Sequence, residues 1–365
     1  MELKNYWWLL IWMFLFGAIS LGFIPQREEI VLGHPRIRWG KLSAAVLALP
    51  YVIWAGWRRN FGDTEVYRAT FLSTPTSLSD LGVFLGAQTK DRGYALIRIL
   101  CKSIITDSDV VFFLIIAVIQ IYCLVRVYRK YSENYWLSMF FFVASTDYLS
   151  WMHNGMRQFL AAAIIFAAFP LLVKRRYISM VLVVLLAATI HLSALIVLPF
   201  IFIVNGKAWN VRTLLFIFGV LATTFFLDEV TGIITNMMVD TAYEGNIAIF
   251  KADDGTNIFR VLFYSIPAIA SWVFRSHIEA EDDPLINTCV NLSVVTAGIY
   301  LFSFFTSGIL IGRLPIYFSL ANYILIPWLI REFFSRESAL FVEGGFLALY
   351  SAFFYFQVGV TWGRL

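Results

Sequence analysis

The chain has 365 residues, of which 60% are hydrophobic and 14% are charged, and its mean hydropathy is +0.75. This composition excludes an ordinary soluble domain and is typical of an integral membrane protein. The net charge of +4 gives no reason to expect a nucleic-acid partner, and the three scattered cysteines form no ligand pattern such as C-x-x-C.

The apolar segments predict an all-α protein with about twelve transmembrane helices. A membrane-spanning helix needs about 20 apolar residues, and the short runs within 177–204 also fit a broken hairpin. No internal repeat or low-complexity tract is visible, so we expect a single membrane domain over residues 1–365. In chain order the candidate spans are residues 6–24, 42–57, 110–125, 136–150, 156–173, 177–190, 192–204, 211–227, 258–275, 288–307, 314–330 and 339–357.

Basic residues in the short connections predict which side of the membrane each loop faces, because Lys and Arg favour cytoplasmic loops. The first apolar run lacks the basic n-region and cleavage site of a signal peptide. Basic residues follow it instead (Arg27, Arg36, Arg38 and Lys41), which predicts an outward N-terminus. The long loops 58–109 and 228–257 then face the periplasm, and an amphipathic stretch at 94–105 suits the outer interface. The basic connections are residues 25–41, Arg126/Arg129/Lys130, Lys174–Arg176, Lys207/Arg212 and Arg331/Arg336.

An excess of arginine on the predicted outer side is the most informative feature of the chain. Outer loops normally carry few basic residues, and a charge near the end of a membrane helix is costly unless something pairs with it. Any one arginine is also explained by snorkelling to the interface, so their joint placement is the stronger signal. Together they predict an anionic ligand such as a phosphate or pyrophosphate. The residues are Arg58, Arg59, Arg68, Arg92, Arg157, Arg260 and Arg313.

The first cluster that could carry chemistry lies at residues 57–67. Asp63 and Tyr67 are four residues apart and would share one face of a short helix. Asp63 would there orient an arginine or bind sugar hydroxyls. The plainer interpretation is an interfacial anchor with a salt-bridged turn.

The second cluster combines a cationic side chain with the start of a predicted helix. Arg157 and Gln158 would begin a helix from the outer face, four residues after His153. The free N–H groups and dipole of a helix N-terminus already favour anions, and Arg157 adds a bidentate donor at that point. Snorkelling of Arg157 to the interface is the alternative.

His191 lies at a predicted outward turn between two apolar runs. Its imidazole is able to accept a proton from a hydroxyl near neutral pH, although a lone histidine at such a turn is more often structural. No second His or Cys has metal-ligand spacing with it, so the sequence predicts no metal and no cofactor.

Two similar pairs occur later in the chain. Arg313 and Tyr317 share a face at an outer helix end, and Arg260 and Tyr264 do so at the start of another helix. Neither pair alone identifies a function, and both add arginines to the group on the predicted outer side.

Several sparse motifs are spread over most of the chain before residue 335. They are Arg59-x-x-x-Asp63-x-x-x-Tyr67, Asp91-Arg-Gly-Tyr94, Gly155-Met-Arg-Gln158, Ala188-Thr-Ile-His191-Leu-Ser-Ala194 and Arg313-x-x-x-Tyr317. This pattern resembles the EpsG/Wzy family of bacterial polysaccharide polymerases. The resemblance implies a GT-C-like, polytopic glycosyltransferase of the bacterial inner membrane. Such an enzyme joins undecaprenyl-pyrophosphate-linked oligosaccharides on the periplasmic side into O-antigen or exopolysaccharide.

The resemblance also suggests roles for the candidate residues. Arg157 and Arg313 would stabilise the leaving pyrophosphate, with Arg59 in support, and His191 would deprotonate the acceptor hydroxyl. The expected partners are the lipid-linked oligosaccharides and the bilayer, with a chain-length regulator as a further candidate. The remaining residues would bind substrate or hold an arginine: Arg58, Asp63, Tyr67, Asp91, Arg92, Tyr94, His153, Gln158, Arg260, Tyr264 and Tyr317.

Other functions remain open from the sequence. A related periplasmic glycosyltransferase, such as an O-antigen ligase, is one alternative. A flippase or secondary transporter would need charges or broken helices near the bilayer midplane, whereas the charges here concentrate at outer helix ends. An intramembrane acyltransferase would need its histidine to face a cytoplasmic thioester donor, and a non-catalytic scaffold would not need the outward arginines.

Overall fold

The computed structural model describes residues 6–24, 26–58, 61–223, 225–238 and 255–364. Most of these residues are helical, which confirms the predicted helical class. The helices are α1 (Trp7–Phe23), α2 (Lys41–Gly56), α3 (Thr64–Leu72), α4 (Leu81–Gly86), α5 (Arg92–Leu100), α6 (Asp109–Tyr131), α7 (Tyr135–Ala144), α8 (Met156–Ala167), α9 (Phe169–Val173), α10 (Tyr177–Ile190), α11 (Val197–Ile203), α12 (Val211–Thr223), α13 (Leu227–Met238), α14 (Ile258–Val273), α15 (Arg275–Glu281), α16 (Pro284–Phe305), α17 (Ile316–Ser319), α18 (Asn322–Phe333) and α19 (Arg336–Phe354). Short 3-10 or π segments lie at Leu78–Asp80, Cys101–Ile105, Tyr148–Asn154, Leu192–Ile196, Ile311–Arg313 and Tyr355–Thr361.

Four segments within the described residues are long and apolar enough to cross a membrane: Asp109–Tyr131, Met156–Val173, Pro284–Phe305 and Arg336–Thr361. The number rises to six if each of two bent helix pairs is one span. Shorter apolar helices of 10–17 residues accompany them at Trp7–Ser20, Lys41–Gly56, Tyr135–Ala144, Tyr177–Ile190, Leu192–Ile203 and Val211–Thr223. The predicted multi-pass class therefore agrees with the structure, while the count of twelve spans and the GT-C-like architecture stay predictions.

A β-hairpin stands where the sequence predicted only a basic loop, so the all-α prediction does not hold at these residues. Strands β1 (Gln26–Val31) and β2 (His34–Trp39) pair antiparallel. Leu32 and Gly33 form the turn at φ 56° and 92°, and two positive φ values are typical of a type I′ hairpin.

One predicted span, residues 136–150, is broken. Helix α7 ends at Ala144, Thr146 has φ 69°, and a π-helical segment follows from Tyr148 to Asn154. A left-handed β-branched residue is costly and interrupts the helix. The segment after the break carries Asn154, which contacts the loop before α3, and leads into α8.

Contacts between residues divide the chain into two compact units. The first unit is residues 1–167, 186–191 and 326–365, and the second is residues 168–185 and 192–325. In the first unit α6 packs against α2 and α8, and in the second α16 packs against α12 and α14. The prediction of a single membrane domain stays a prediction.

Candidate active site

An ion pair between Asp91 and Arg157 forms the centre of the candidate site in the first unit. Arg157 lies in the first turn of α8 and donates from Nη1 to Asp91 Oδ2 at 2.9 Å. The side chain of Asp91 is 7% exposed, whereas that of Arg157 is 36% exposed. A guanidinium has five N–H donors, so the pair fixes the direction of Arg157 and leaves donors for an anionic ligand.

The backbone at Asp91 explains how the carboxylate reaches Arg157. Asp91 precedes α5 in a left-handed conformation, with φ 56° and ψ 39°. Among residues with a side chain, Asp and Asn tolerate this conformation best. The turn that begins α5 therefore presents the carboxylate to α8, which starts 65 residues further along the chain.

Two tyrosines flank the arginine. The Arg157 Cζ atom lies 6.0 Å from the ring centroid of Tyr67 and 5.8 Å from that of Tyr94. Burial raises the pKa of Tyr67, although the Arg157 charge acts in the opposite direction, and burial also raises the pKa of Tyr94. Both hydroxyls stay protonated at neutral pH and are hydrogen-bond donors. The Tyr94 hydroxyl is buried and has no hydrogen-bond partner among the described residues.

Asn154 organises the loop before α3, and the sequence analysis missed it. Its side-chain oxygen accepts from the Asp63 backbone N–H at 3.1 Å, and its backbone carbonyl accepts from the Tyr67 hydroxyl at 3.0 Å. Gly62 has φ 52°, and a Cβ atom there would lie 2.4 Å from Asn154 Oδ1. The Asn154-Gly155 dipeptide, a turn signal in the sequence, was the available clue.

Arg58 and His153 lie beneath the surface of the site. Arg58 is 6% exposed and donates to the Met152 carbonyl and to Met156 Sδ, and its guanidinium covers the Phe113 ring. Burial lowers the pKa of Arg58 to about 10, so the side chain keeps its charge at neutral pH. These contacts hold α2 and α6 against the segment before α8.

His153 is 1% exposed and packs against the rings of Phe61 and Tyr148. Burial, reinforced by the nearby Arg58 charge, lowers the pKa of His153 to about 3. The imidazole is therefore neutral at physiological pH. Its position gives it a packing contact rather than an open face toward solvent.

His191 follows the end of α10 and is half-buried. Two residues earlier, Thr189 approaches the start of α5 so closely that a Cβ atom on Gly93 would lie 2.2 Å from Thr189 Oγ1. The segment that ends at His191 therefore packs on the turn that carries Asp91. Glycine in the Asp91-Arg-Gly-Tyr94 motif is explained by this close approach.

Other predicted residues of the first unit have different surroundings. Arg92 is exposed and donates from Nε to the Gln88 carbonyl at 3.1 Å. Gln158 is 6% exposed. Arg68 pairs with Asp109 at 2.6 Å and with Glu65 at 2.5 Å, so carboxylates compensate its charge.

The second unit brings Arg260, Tyr264 and Arg313 to helix ends that converge. Arg260 lies over the rings of Tyr264 and Tyr300, which stack on each other at 4.7 Å. Thr256 Oγ1 accepts from Ser303 Oγ at 2.7 Å, which joins the start of α14 to the end of α16. A Cβ atom on Gly312, the neighbour of Arg313, would lie 2.5 Å from the Thr256 hydroxyl. Tyr317 OH lies 2.9 Å from Ser193 Oγ.

Some predictions lie outside the described residues. Arg59 is one of these, and so are residues 239–254 of the predicted loop 228–257. The structure therefore unites Asp91, Arg157, Tyr67 and Tyr94 directly and links Asp63 to them through Asn154. It offers a fixed cation and the Tyr94 hydroxyl, and the segment that ends at His191 packs on the turn that carries Asp91.

Comparison with known proteins gives a single result. The EpsG family matches the chain over residues 41–361, which extends beyond residue 335, where the sequence resemblance stopped. No curated protein and no solved structure matches the chain.

Proposed function

The chain belongs to the EpsG family, and from that premise we propose that it is a membrane glycosyltransferase that polymerises lipid-pyrophosphate-linked oligosaccharide repeat units. The product is an O-antigen or exopolysaccharide, and the site faces the periplasm. The observation that carries the proposal is the Asp91–Arg157 pair between two protonated tyrosines.

The reaction needs charge stabilisation more than covalent chemistry. A hydroxyl oxygen of the acceptor sugar attacks the anomeric carbon of the donor, and the bond between that carbon and the pyrophosphate oxygen breaks. The pyrophosphate leaves on its lipid with the bonding electrons, and the hydroxyl proton passes to a base. Fixed donors aimed at the developing charge are usually the largest contribution to such catalysis.

We assign the main electrostatic role to Arg157, because Asp91 holds it in one direction while a third of its side chain stays exposed. A planar guanidinium matches phosphate oxygens in a bidentate manner. Arg313, which lies in the second unit, is separately proposed to bind an anionic group of this class.

His191 is proposed as the base. Its imidazole is half-buried, and its segment packs on the turn that carries Asp91. Tyr94, whose hydroxyl has no hydrogen-bond partner within the described part of the chain, and Asp63 are proposed to bind sugar hydroxyls. Arg58 and His153 are proposed to have structural roles, because they pack in the segments before α8 and α3.

A gel ladder tests the proposal directly. Purified protein is incubated in detergent with lipid-linked repeat units, and the length of the saccharide is followed. We expect a ladder from the wild type and from Arg126→Ala, which removes an exposed arginine of α6, and none from Arg157→Ala. A folded wild-type protein that never lengthens the saccharide would contradict the polymerase assignment, and transport without lengthening would indicate a flippase.

The same assay tests whether arginines replace a metal ion. Full activity in EDTA is expected, because Arg157 supplies the positive charge that Mg²⁺ supplies in many transfers. Complete loss that Mg²⁺, Mn²⁺ or Ca²⁺ reverses would mean that the arginines are not the main electrophilic element.

Membrane orientation is tested separately by labelling single cysteines in a variant without the three native ones. A membrane-impermeant maleimide is expected to label position 80 and not position 175 in cells with a permeable outer membrane. The reverse result would exclude a periplasmic site.

A further inference from the structure

A cavity of about 190 Å³ in the second unit is not used by the proposed reaction. It lies where α10 and α16 begin, and the loops after α9 and α11 complete it. Polar side chains in its wall include Arg175, Tyr177, Asn205, Lys207, Asp282 and Asn287. Arg175 and Lys207 outnumber the one carboxylate of Asp282, so the wall is net positive.

Arg175 occupies a position that normally favours glycine. The Arg176 N–H donates to the Leu171 carbonyl at 2.8 Å and the Arg175 N–H to the Leu172 carbonyl at 2.9 Å, which is the Schellman end of a helix. Arg175 is the left-handed residue of this motif, with φ 57°. Any residue other than glycine is strained there, so the chain keeps a cation at a conformational cost. No described residue forms an ion pair with Arg175.

Further donors meet at the same cavity. The Tyr177 hydroxyl is buried and has no hydrogen-bond partner among the described residues. Lys207 reaches Asp282 only at 4.0 Å, and its side chain is 67% exposed. Helix α10 begins at the cavity, and its free N–H groups favour an anion. A cation, a hydroxyl donor and a helix N-terminus suit a phosphate group.

The outer surface of α10 indicates the source of that phosphate. Ile178 and Leu182 follow Tyr177 at helical spacing and are 81% and 62% exposed. Phe202 on α11 is 66% exposed. These apolar surfaces continue from the cavity along helices that are apolar throughout, so acyl chains have a surface to lie on.

We propose that this cavity binds the phosphate of an anionic phospholipid through Arg175, Lys207 and the Tyr177 hydroxyl. This binding site does not depend on the proposed polymerase activity. Basic pockets between membrane helices are suited to anionic headgroups. Free phosphate shares the chemistry but lacks the acyl chains that α10 would cover.

The test uses full-length protein in detergent and titrates short-chain phosphatidylglycerol, short-chain phosphatidylcholine and inorganic phosphate. We expect phosphatidylglycerol to bind most tightly. Arg175→Gly should weaken its binding about five- to tenfold, yet raise the melting temperature of the lipid-free protein, because glycine relieves the left-handed strain. These opposite changes separate loss of a binding residue from loss of the fold.

Two neighbours provide matched controls. Lys174→Gln and Arg176→Gln remove the same charge from the same turn, but neither residue lines the cavity. Both should leave phosphatidylglycerol affinity unchanged, and Tyr177→Phe should lower it. An equal loss in all three basic variants would mean diffuse surface attraction and would overturn the site. Inorganic phosphate binding as tightly as phosphatidylglycerol would overturn the lipid assignment.

Discussion

Asp91→Asn is the most discriminating change at the proposed active site, because it removes the charge with little change in shape. Asparagine also tolerates the left-handed backbone that Asp91 adopts at φ 56°. The fold should therefore survive, and Arg157 should lose the partner that fixes its direction.

The expected magnitude follows from the burial of the pair. A hydrogen bond between charged groups contributes about 1.5–3 kcal/mol, whereas exposed pairs contribute at most about 1 kcal/mol. With Asp91 7% and Arg157 36% exposed, the lower part of the first range applies, near 1.5 kcal/mol. If that energy holds Arg157 in its catalytic direction, the polymerisation rate falls about tenfold.

The assay is the initial rate of ladder formation, with the melting temperature as the measure of folding. Asp91→Ala should lower both quantities, since alanine at a left-handed position costs roughly 1–2 kcal/mol. Asp80→Asn changes an exposed acid of the same long loop and should alter neither. A wild-type rate in folded Asp91→Asn would refute the idea that this pair positions Arg157.

Three further predictions follow from the same geometry. His191→Ala should slow polymerisation about 10²- to 10⁴-fold without weakening donor binding, and a loss confined to donor affinity would remove its role as base. The melting temperature should fall as the pH drops from about 6.5 towards about 3. In this range His153 is protonated in the unfolded chain and stays neutral in the folded protein, so acid favours unfolding. His153→Gln should flatten this dependence, and an unchanged slope would contradict it. Glu133→Gln should cost about 3–5 kcal/mol of stability because it leaves buried Arg36 without its carboxylate, whereas Glu29→Gln, at an exposed pair, should cost less than about 1 kcal/mol; equal melting shifts would refute the difference.

Local elements of the site were predictable from spacing. The short helix that carries Tyr67 and the helix start at Arg157 both exist, as α3 and α8. These elements depend on neighbours in sequence, which periodicity and capping describe. The apolar helices were predictable for the same reason, although the break at Thr146 was not.

Contacts between distant residues were beyond the sequence. Nothing in the spacing indicates that Asp91 reaches Arg157, or that Asn154 holds the turn at Gly62. The hairpin at residues 26–39 was missed for a related reason. Its charged strands lack an apolar alternation, and its anchor is the buried ion pair between Arg36 and Glu133.

The arginines that the sequence predicts to face outward differ in how the fold compensates their charge, and this difference decides which of them can bind an anion. Arg68 is paired with Asp109 and Glu65, and Arg58 is buried against carbonyl, sulfur and aromatic groups. Neither therefore adds much to an anion site, although both contributed to the sequence argument. Arg157 differs, because its carboxylate partner is buried while its own side chain is a third exposed. Neutralising Arg58 or Arg68 should thus affect folding before substrate affinity, and Arg157 is where the case for a pyrophosphate ligand is strongest.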